Sequence, residues 1–335
     1  MIDIEDPLEL ERYLRTRGYL APGQGLEAEV LRGGVSNRTV LVRLPGGACW
    51  VLKQALEQLR VKVKWFSDPA RIEREALGLR WMSVLAPAGA APALVFEDRD
   101  QHIVGMQAVP APHHNWKTLL LRGEVDEEYV RQFARLLSTI HRGAAEHAAE
   151  LSVVFGDRTF FETLRLEPYY RYTASQLPRA AAFLHALIEG TLASRHTLVH
   201  GDYSPKNVLV HGGRLVLLDY EVIHWGDPAF DAGFSMAHLL SKAHHVADRR
   251  GAFVRAAHVY WQTYADEVAG RFGDLEARAV RHTLACLLAR VDGRSPLEYL
   301  DDEERSRQRD AACSLIDHLP PRMADLIDQF AALLR

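Results

Sequence analysis

Between Leu198 and Glu221 the chain reads LVHGDYSPKNVLVHGGRLVLLDYE, where Asp202, Asn207 and Asp219 stand at spacings suited to phosphate chemistry. The two aspartates lie on turns that bracket the apolar runs Val208–Val210 and Leu215–Leu218, and Gly212-Gly213 punctuates a hairpin between those runs. Folded as a hairpin, the stretch turns both carboxylates toward one cleft. Two carboxylates and an amide make an oxygen-rich cage for Mg²⁺, which takes only one or two protein carboxylates and leaves its other positions to water and phosphate.

The Asp202-x4-Asn207 spacing equals that of the protein-kinase catalytic loop, in which the Asp accepts the proton of the attacking hydroxyl and the Asn holds a metal. Here the triplet is His200-Gly201-Asp202, and Asp219-Tyr220-Glu221 stands where kinases carry Asp-Phe-Gly. At these residues the chain resembles the aminoglycoside phosphotransferase and choline kinase superfamily of small-molecule kinases. That resemblance implies a two-lobed, protein-kinase-like α+β fold that uses ATP and Mg²⁺. It assigns catalysis to Asp202, Asn207 and Asp219 and the metal to Asn207 and Asp219, with Glu221 at the water shell of a second ion. Asp231 would hold the backbone of the catalytic loop.

The elements that must position these groups follow in chain order. Asp6-Pro7 opens a helix through LELERYLRTRGYL, which stops near Gly18. From Glu27 the pattern turns to short β-type runs, AEVLR, TVLVRL and CWVLKQ, and later ALVFE and HIVGMQAV. The expectation is a five-stranded antiparallel sheet with one helix, residues 1–107, as a nucleotide-binding lobe, and a mainly helical catalytic and acceptor-binding lobe over residues 108–335. Gly33, Gly34 and Ser36 form a turn whose backbone N–H groups are expected over the phosphates. No G-x-x-x-x-G-K-[ST] loop occurs, which excludes that route to a nucleotide.

Lys53 closes the apolar run Trp50-Val51-Leu52, where a lone cation needs an anionic partner. Glu75, on the helix after Asp68-Pro69, is the expected partner, and the superfamily resemblance gives Lys53 the α/β-phosphates. Met106, Gln107 and Ala108 are expected to form the hinge, with backbone groups on the adenine edge. His224 and Trp225, just past the metal Asp, and Arg290 and Arg294, at a helix break, are candidates to face the acceptor. The stretch VLKQALEQLRVKVKWFSDPARIEREAL, together with Asp219-Tyr220-Glu221 through Phe230-Asp231, also resembles the methylthioribose kinase family. Asn207 and Tyr220 depart from that family's Ser and Pro.

Composition bounds the rest. With 335 residues, 48% hydrophobic and 25% charged, the chain is ordinary for a globular protein of about one to three domains. A net charge of −4 offers no whole-surface attraction for nucleic acid or anionic lipid, and no apolar run approaches a membrane span, so neither is expected as a partner. The acidic start MIDIED is unlike a signal peptide, which points to the cytoplasm. Three scattered cysteines read as small hydrophobes. The expected partner is a small-molecule acceptor such as a sugar-like metabolite, an aminoglycoside or an amino alcohol. The methylthioribose kinase likeness adds a homodimer. Two rival readings remain, a nucleotide-binding regulatory pseudokinase and a protein Ser/Thr kinase of the same fold.

Overall fold

A computed structural model describes residues 1–31, 34–60 and 65–334. The chain divides into two compact units, one of Met1–Val84, Ala91–Ala111 and Asp219–Glu221, the other of Leu85–Ala90, Pro112–Leu218 and Val222–Arg335. The first unit thus runs past the expected break at residue 107 and takes three residues from the centre of the functional stretch.

In the first unit, helix α1 (Pro7–Thr16) starts where Asp6 accepts the N–H groups of Leu8 and Glu9 and Pro7 fills the first position. Strands β1 (Glu27–Val30), β2 (Asn37–Arg43), β3 (Cys49–Ala55), β4 (Leu94–Asp98) and β5 (Ile103–Gln107) form an antiparallel sheet ordered β1-β2-β3-β5-β4. Alternation along β2 and β3 sends Val40, Val42 and Leu52 inward against Leu10 and Leu14 of α1. Tyr19 stacks on Phe96 at 4.9 Å and meets Trp50 edge-on at 5.2 Å, which ties the end of α1 to the sheet. Helix α2 (Arg71–Leu85) follows β3. A five-stranded antiparallel sheet with a helical second unit is the fold class expected from the sequence.

The second unit opens with β6 (His113–Asn115), α3 (Trp116–Leu121), α4 (Glu127–Glu146), α5 (Ala148–Val154) and α6 (Thr159–Phe161). A π-helical segment, Glu162–Arg171, then runs into α7 (Tyr172–Gln176) and α8 (Pro178–Ala193). β7 (Thr197–Val199) pairs with β10 (His224–Gly226), while β8 (Val208–His211) and β9 (Arg214–Leu217) form the expected hairpin beside β6. Gly212 and Gly213, at φ 55° and 75°, make that turn in the left-handed region. Helices α9 (Pro228–His245), α10 (Arg250–Val268), α11 (Leu275–Asp292), α12 (Asp302–Asp317) and α13 (Met323–Leu333) complete the unit. Among the described residues no helix is long and apolar enough to cross a membrane.

Helix α9 is buried along nearly its whole length, so both of its faces need partners. It packs closest on α11 at Gly233, where an added Cβ would stand 2.6 Å from the Cβ of His282, 2.8 Å from the Thr283 nitrogen and 2.9 Å from the Ala279 oxygen. Two of those atoms are backbone and cannot rotate away. Gly233→Ala should therefore force α9 and α11 apart and destabilise the protein by about 1–3 kcal/mol, read by denaturant unfolding. An unchanged midpoint would contradict this close crossing.

Candidate active site

In the first unit the site is built on Lys53. It sits mid-sheet on β3, between Thr39 of β2 and Val104 of β5. Its ammonium donates to Glu75 Oε1 and to Asp219 Oδ1, both at 2.8 Å. Burial alone would lower the Lys53 pKa, but the Asp219 and Glu75 carboxylates outweigh it and hold the ammonium firmly charged. Glu75 is almost fully buried, and burial pushes its carboxyl up to about 7 against the pull of Lys53, with Asp219 adding like-charge repulsion. One ammonium thus faces two carboxylates.

The three residues after Leu218 are held by separate devices. Asp219 lies at φ 75°, in the left-handed region that a non-glycine residue rarely adopts. The Tyr220 N–H donates to Glu75 Oε2, and the Tyr220 side chain is buried against Gly78 of α2, where any Cβ would fall 2.4 Å from that of Tyr220. Glu221 is buried and bound by Arg71 Nε and Asn37 Nδ2, each at 3.2 Å. Arg71, fully buried, also donates to the carbonyls of Ser67, Asp68, Leu56 and Ser36, so it fastens the start of α2 to the turn after β1.

These contacts redirect several expectations. Glu221 was expected at a metal's water shell; instead its carboxylate is committed to Arg71 and Asn37. Met106 is buried within the unit. The N–H groups of Gln107 and Ala108 bond Ala93 at 2.8 Å and Cys49 at 2.9 Å, which leaves neither donor for an adenine edge. Gly34 and Ser36 lie at the expected turn; the Ser36 hydroxyl accepts from Asn37 at 3.2 Å, and its carbonyl from Leu56 N–H at 3.0 Å. Gly33 lies outside the described residues.

In the second unit the His200-Gly201-Asp202 loop leaves β7 with Gly201 at φ 77°, where an added Cβ would stand 3.0 Å from the Val222 carbonyl oxygen. Asp231, on the first turn of α9, accepts the N–H of His200 at 2.6 Å and of Gly201 at 2.8 Å. The loop so held brings Asp202 and Asn207 together, with Asn207 Nδ2 donating to Asp202 Oδ2 at 2.7 Å and to its carbonyl at 3.0 Å. Leu218, the residue before Asp219, donates its N–H to the Asn207 carbonyl at 2.9 Å.

A group that sequence reasoning passed over completes this half. Arg165, inside the π-helical segment, pairs with Asp202 Oδ2 at 3.0 Å and donates from Nε to the Gly201 carbonyl at 2.8 Å. Its guanidinium lies 5.7 Å from the centre of the Tyr169 ring, and that of Arg290 lies 5.5 Å from the same ring. Arg290 Nη1 also donates to the Tyr169 hydroxyl at 3.0 Å. Arg294 stands over Tyr172 at 5.0 Å. His224 and Trp225, expected to face an acceptor, are interior residues of β10. His224 stacks on Phe161 at 3.9 Å, and the Trp225 N–H bonds the Phe155 carbonyl at 2.8 Å.

Among the described residues, no cluster of three or more His, Cys, Asp or Glu forms a metal cage. The donors present are hard oxygens: the Asp219 carboxylate, and Asn207 Oδ1, the acceptor left when Nδ2 is committed to Asp202. Each, in its own unit, is the oxygen type that hard cations take.

A family model described as the phosphotransferase enzyme family matches residues 27–269. The chain belongs to that family. It is a small-molecule phosphotransferase. Its fold is similar to that of choline kinase from Cryptosporidium parvum Iowa II, with a TM-score of 0.57 at 11% identity over 93% of this chain and 97% of that one. It is also similar to a choline/ethanolamine kinase family protein from Mesorhizobium loti, with a TM-score of 0.52 at 15% identity over 100% of this chain and 99% of that one. Amicoumacin kinase, in complex with AMP-PNP, Ca²⁺ and Ami, gives a TM-score of 0.54 at 15% identity over 93% and 95%. No curated protein matches the chain by sequence.

Within this phosphotransferase, the buried Arg71–Glu221 pair anchors the segment that carries Asp219. Arg71→Met, which strands the Glu221 carboxylate, should cost about 3–5 kcal/mol of unfolding free energy, whereas Arg71→Met with Glu221→Leu should recover part of it. Equal losses in the single and double variants would show that the pair is not the anchor.

Proposed function

We propose that the enzyme transfers the γ-phosphoryl group of ATP to a hydroxyl of a small molecule, with Mg²⁺ as cofactor. The observation that carries this reading is the Asp202–Asn207 contact on a loop clamped by Asp231, beside a hairpin that leads directly into Asp219. The Lys53–Asp219 and Lys53–Glu75 pairs support it from the nucleotide side. The amicoumacin kinase structure similar to this chain holds AMP-PNP with a divalent cation, which agrees with a nucleotide substrate here.

Phosphoryl transfer depends on positioning and charge neutralisation more than on covalent catalysis. Asp202 orients the acceptor hydroxyl and takes its proton. The acceptor oxygen forms the new bond to the γ-phosphorus as the bond to the β–γ bridging oxygen breaks, and ADP leaves with that electron pair. Lys53 neutralises the α/β end of the nucleotide, and the turn around Gly34 and Ser36 covers it. Asn207 and Asp219 would hold Mg²⁺, which when bound offsets the phosphate charge. The nucleotide role falls to residues 1–107 and the acceptor role to residues 108–335.

Asp202→Asn should lower kcat by about 10²–10⁴-fold while the ATP dissociation constant stays within about twofold of wild type. Asp219→Ala should damage both turnover and Mg-dependent nucleotide binding. Calorimetric titration with and without Mg²⁺, beside steady-state assays, separates the two. Near-normal turnover by Asp202→Asn would mean the base has been misassigned.

A further inference from the structure

The arginine that sequence reasoning passed over is in direct contact with the group read as the base. Arg165 is 7% exposed, and a guanidinium so buried needs a partner for each of its nitrogens. Nε donates to the Gly201 carbonyl and Nη1 to the Leu164 carbonyl, both at 2.8 Å, while Nη2 pairs with Asp202 Oδ2 at 3.0 Å. The Tyr169 ring centre lies 5.7 Å from the guanidinium carbon. Arg165 is carried by the π-helical segment Glu162–Arg171, and widened turns of that kind recur at functional positions.

Asp202 is gripped unevenly. Asn207 Nδ2 donates to Oδ2 at 2.7 Å, and the Arg165 pair falls on the same atom. Among the described residues no donor bonds Oδ1. The Asp202 side chain is 14% exposed, so the carboxylate is not sealed within its unit. An aspartate carboxylate turns easily about its Cβ–Cγ bond, and a single donor leaves much of that rotation free. Two donors on one oxygen, arriving from different elements, fix the plane and single out the other oxygen.

The two donors differ in origin. Asn207 ends the short 3₁₀ turn Pro205–Asn207, on the same loop as Asp202, and moves with it. Arg165 comes from a separate helix and also holds the Gly201 carbonyl, the peptide oxygen directly before Asp202. It therefore fixes both the peptide plane that enters the residue and the carboxylate at its tip. Asp231 already holds the His200 and Gly201 N–H groups, so the backbone of the loop has an anchor of its own. What Arg165 adds is a reference for the carboxylate from outside the loop. Phosphoryl transfer passes through a loose transition state, in which placement of the attacking hydroxyl matters more than the strength of the base.

Resting on the phosphotransferase reading above, we infer that Arg165 is a positioning residue for the transfer: by occupying Oδ2 together with Asn207, it presents Oδ1 to the acceptor hydroxyl. The hydroxyl proton passes to Oδ1 while the hydroxyl oxygen bonds the γ-phosphorus. ADP leaves with the electron pair of the broken bond to the β–γ bridging oxygen.

The test is a double-mutant cycle on the full chain with ATP and Mg²⁺. ADP release is measured with choline, kanamycin, 5-methylthioribose or water as acceptor, and the acceptor giving the fastest release from the wild-type chain is used throughout. Arg165→Met should lower kcat about 10–100-fold while the ATP dissociation constant stays within about twofold of wild type. Arg165→Lys has an ammonium for Oδ2 but no planar fork to take the Gly201 carbonyl as well, so its kcat should fall between the two. In an Asp202→Ala background, Arg165→Met should cost less than about threefold, because the carboxylate through which Arg165 acts is gone. An arginine that merely held the loop would lower the residual turnover of Asp202→Ala just as far, since that turnover still needs the loop to carry Asn207. Equal losses in the two backgrounds overturn the proposal, and so does wild-type kcat in Arg165→Met. Loss of cooperative thermal unfolding in both Arg165→Met and Arg165→Lys also overturns it, by making the arginine structural. No ADP release from the wild-type chain with any of these acceptors would instead remove the phosphotransferase reading on which it rests.

Discussion

The carboxylate of Asp231 is the constraint on which the loop from His200 to Asn207 depends. It is fully buried, and burial opposes its charge. The His141 ring at 3.3 Å, the His200 ring and the Gly201 N–H more than offset that, so the carboxyl titrates below its ordinary range. An ionised acceptor at the first turn of α9, where the helix dipole also favours it, can bind two successive loop N–H groups that no strand partner satisfies. His141 is itself fixed through its other ring nitrogen by the Tyr264 hydroxyl at 2.8 Å, so helices α4, α9 and α10 all meet at this one charge. The direction of Asp202 follows from it, because Gly201 sets the turn and Asp202 comes next.

The first unit's charged cluster rests on an unequal charge count. Lys53 is balanced by the first carboxylate it meets, and the second leaves the group negative. Glu75 relieves part of this by holding its proton more tightly, an effect of burial first and of Asp219 second. The left-handed backbone at Asp219 stores a further cost of about 1–3 kcal/mol, and it persists because Tyr220 and Glu221 are each fastened independently to α2.

How much of this could be read from the amino acids depended on whether a residue's role is local. The five-strand sheet was legible because short β-type runs such as TVLVRL and CWVLKQ stand on either side of turn residues such as Pro45-Gly46-Gly47. The Asp202–Asn207 contact was legible because six residues on one tight loop leave few arrangements, and Lys53 pointed to Glu75 because a cation in an apolar strand must find an acid. His224 and Trp225 were misjudged because nearness in sequence to Asp219 says nothing about direction. A three-residue strand pairing with β7 carries them into the interior. That the Gln107 and Ala108 N–H groups are spent within the unit was not legible, because bonds to residues far along the chain, Cys49 and Ala93, cannot be counted from a strand's own pattern.

Arg165 was illegible for a different reason. ETLRLEPYYR has no clear 3.6-residue period, and Pro168 within it lacks the N–H a regular turn would use, so the chain widens into π-helical geometry and the side-chain directions change. From that segment Arg165 reaches Asp202 and the Gly201 carbonyl while Tyr169 lies against its guanidinium. Tyr169 is in turn bound by Arg290, so a shift of Arg290 would reach Arg165 through that ring. Arg165, Tyr169 and Arg290 therefore form one connected chain that ends on Asp202.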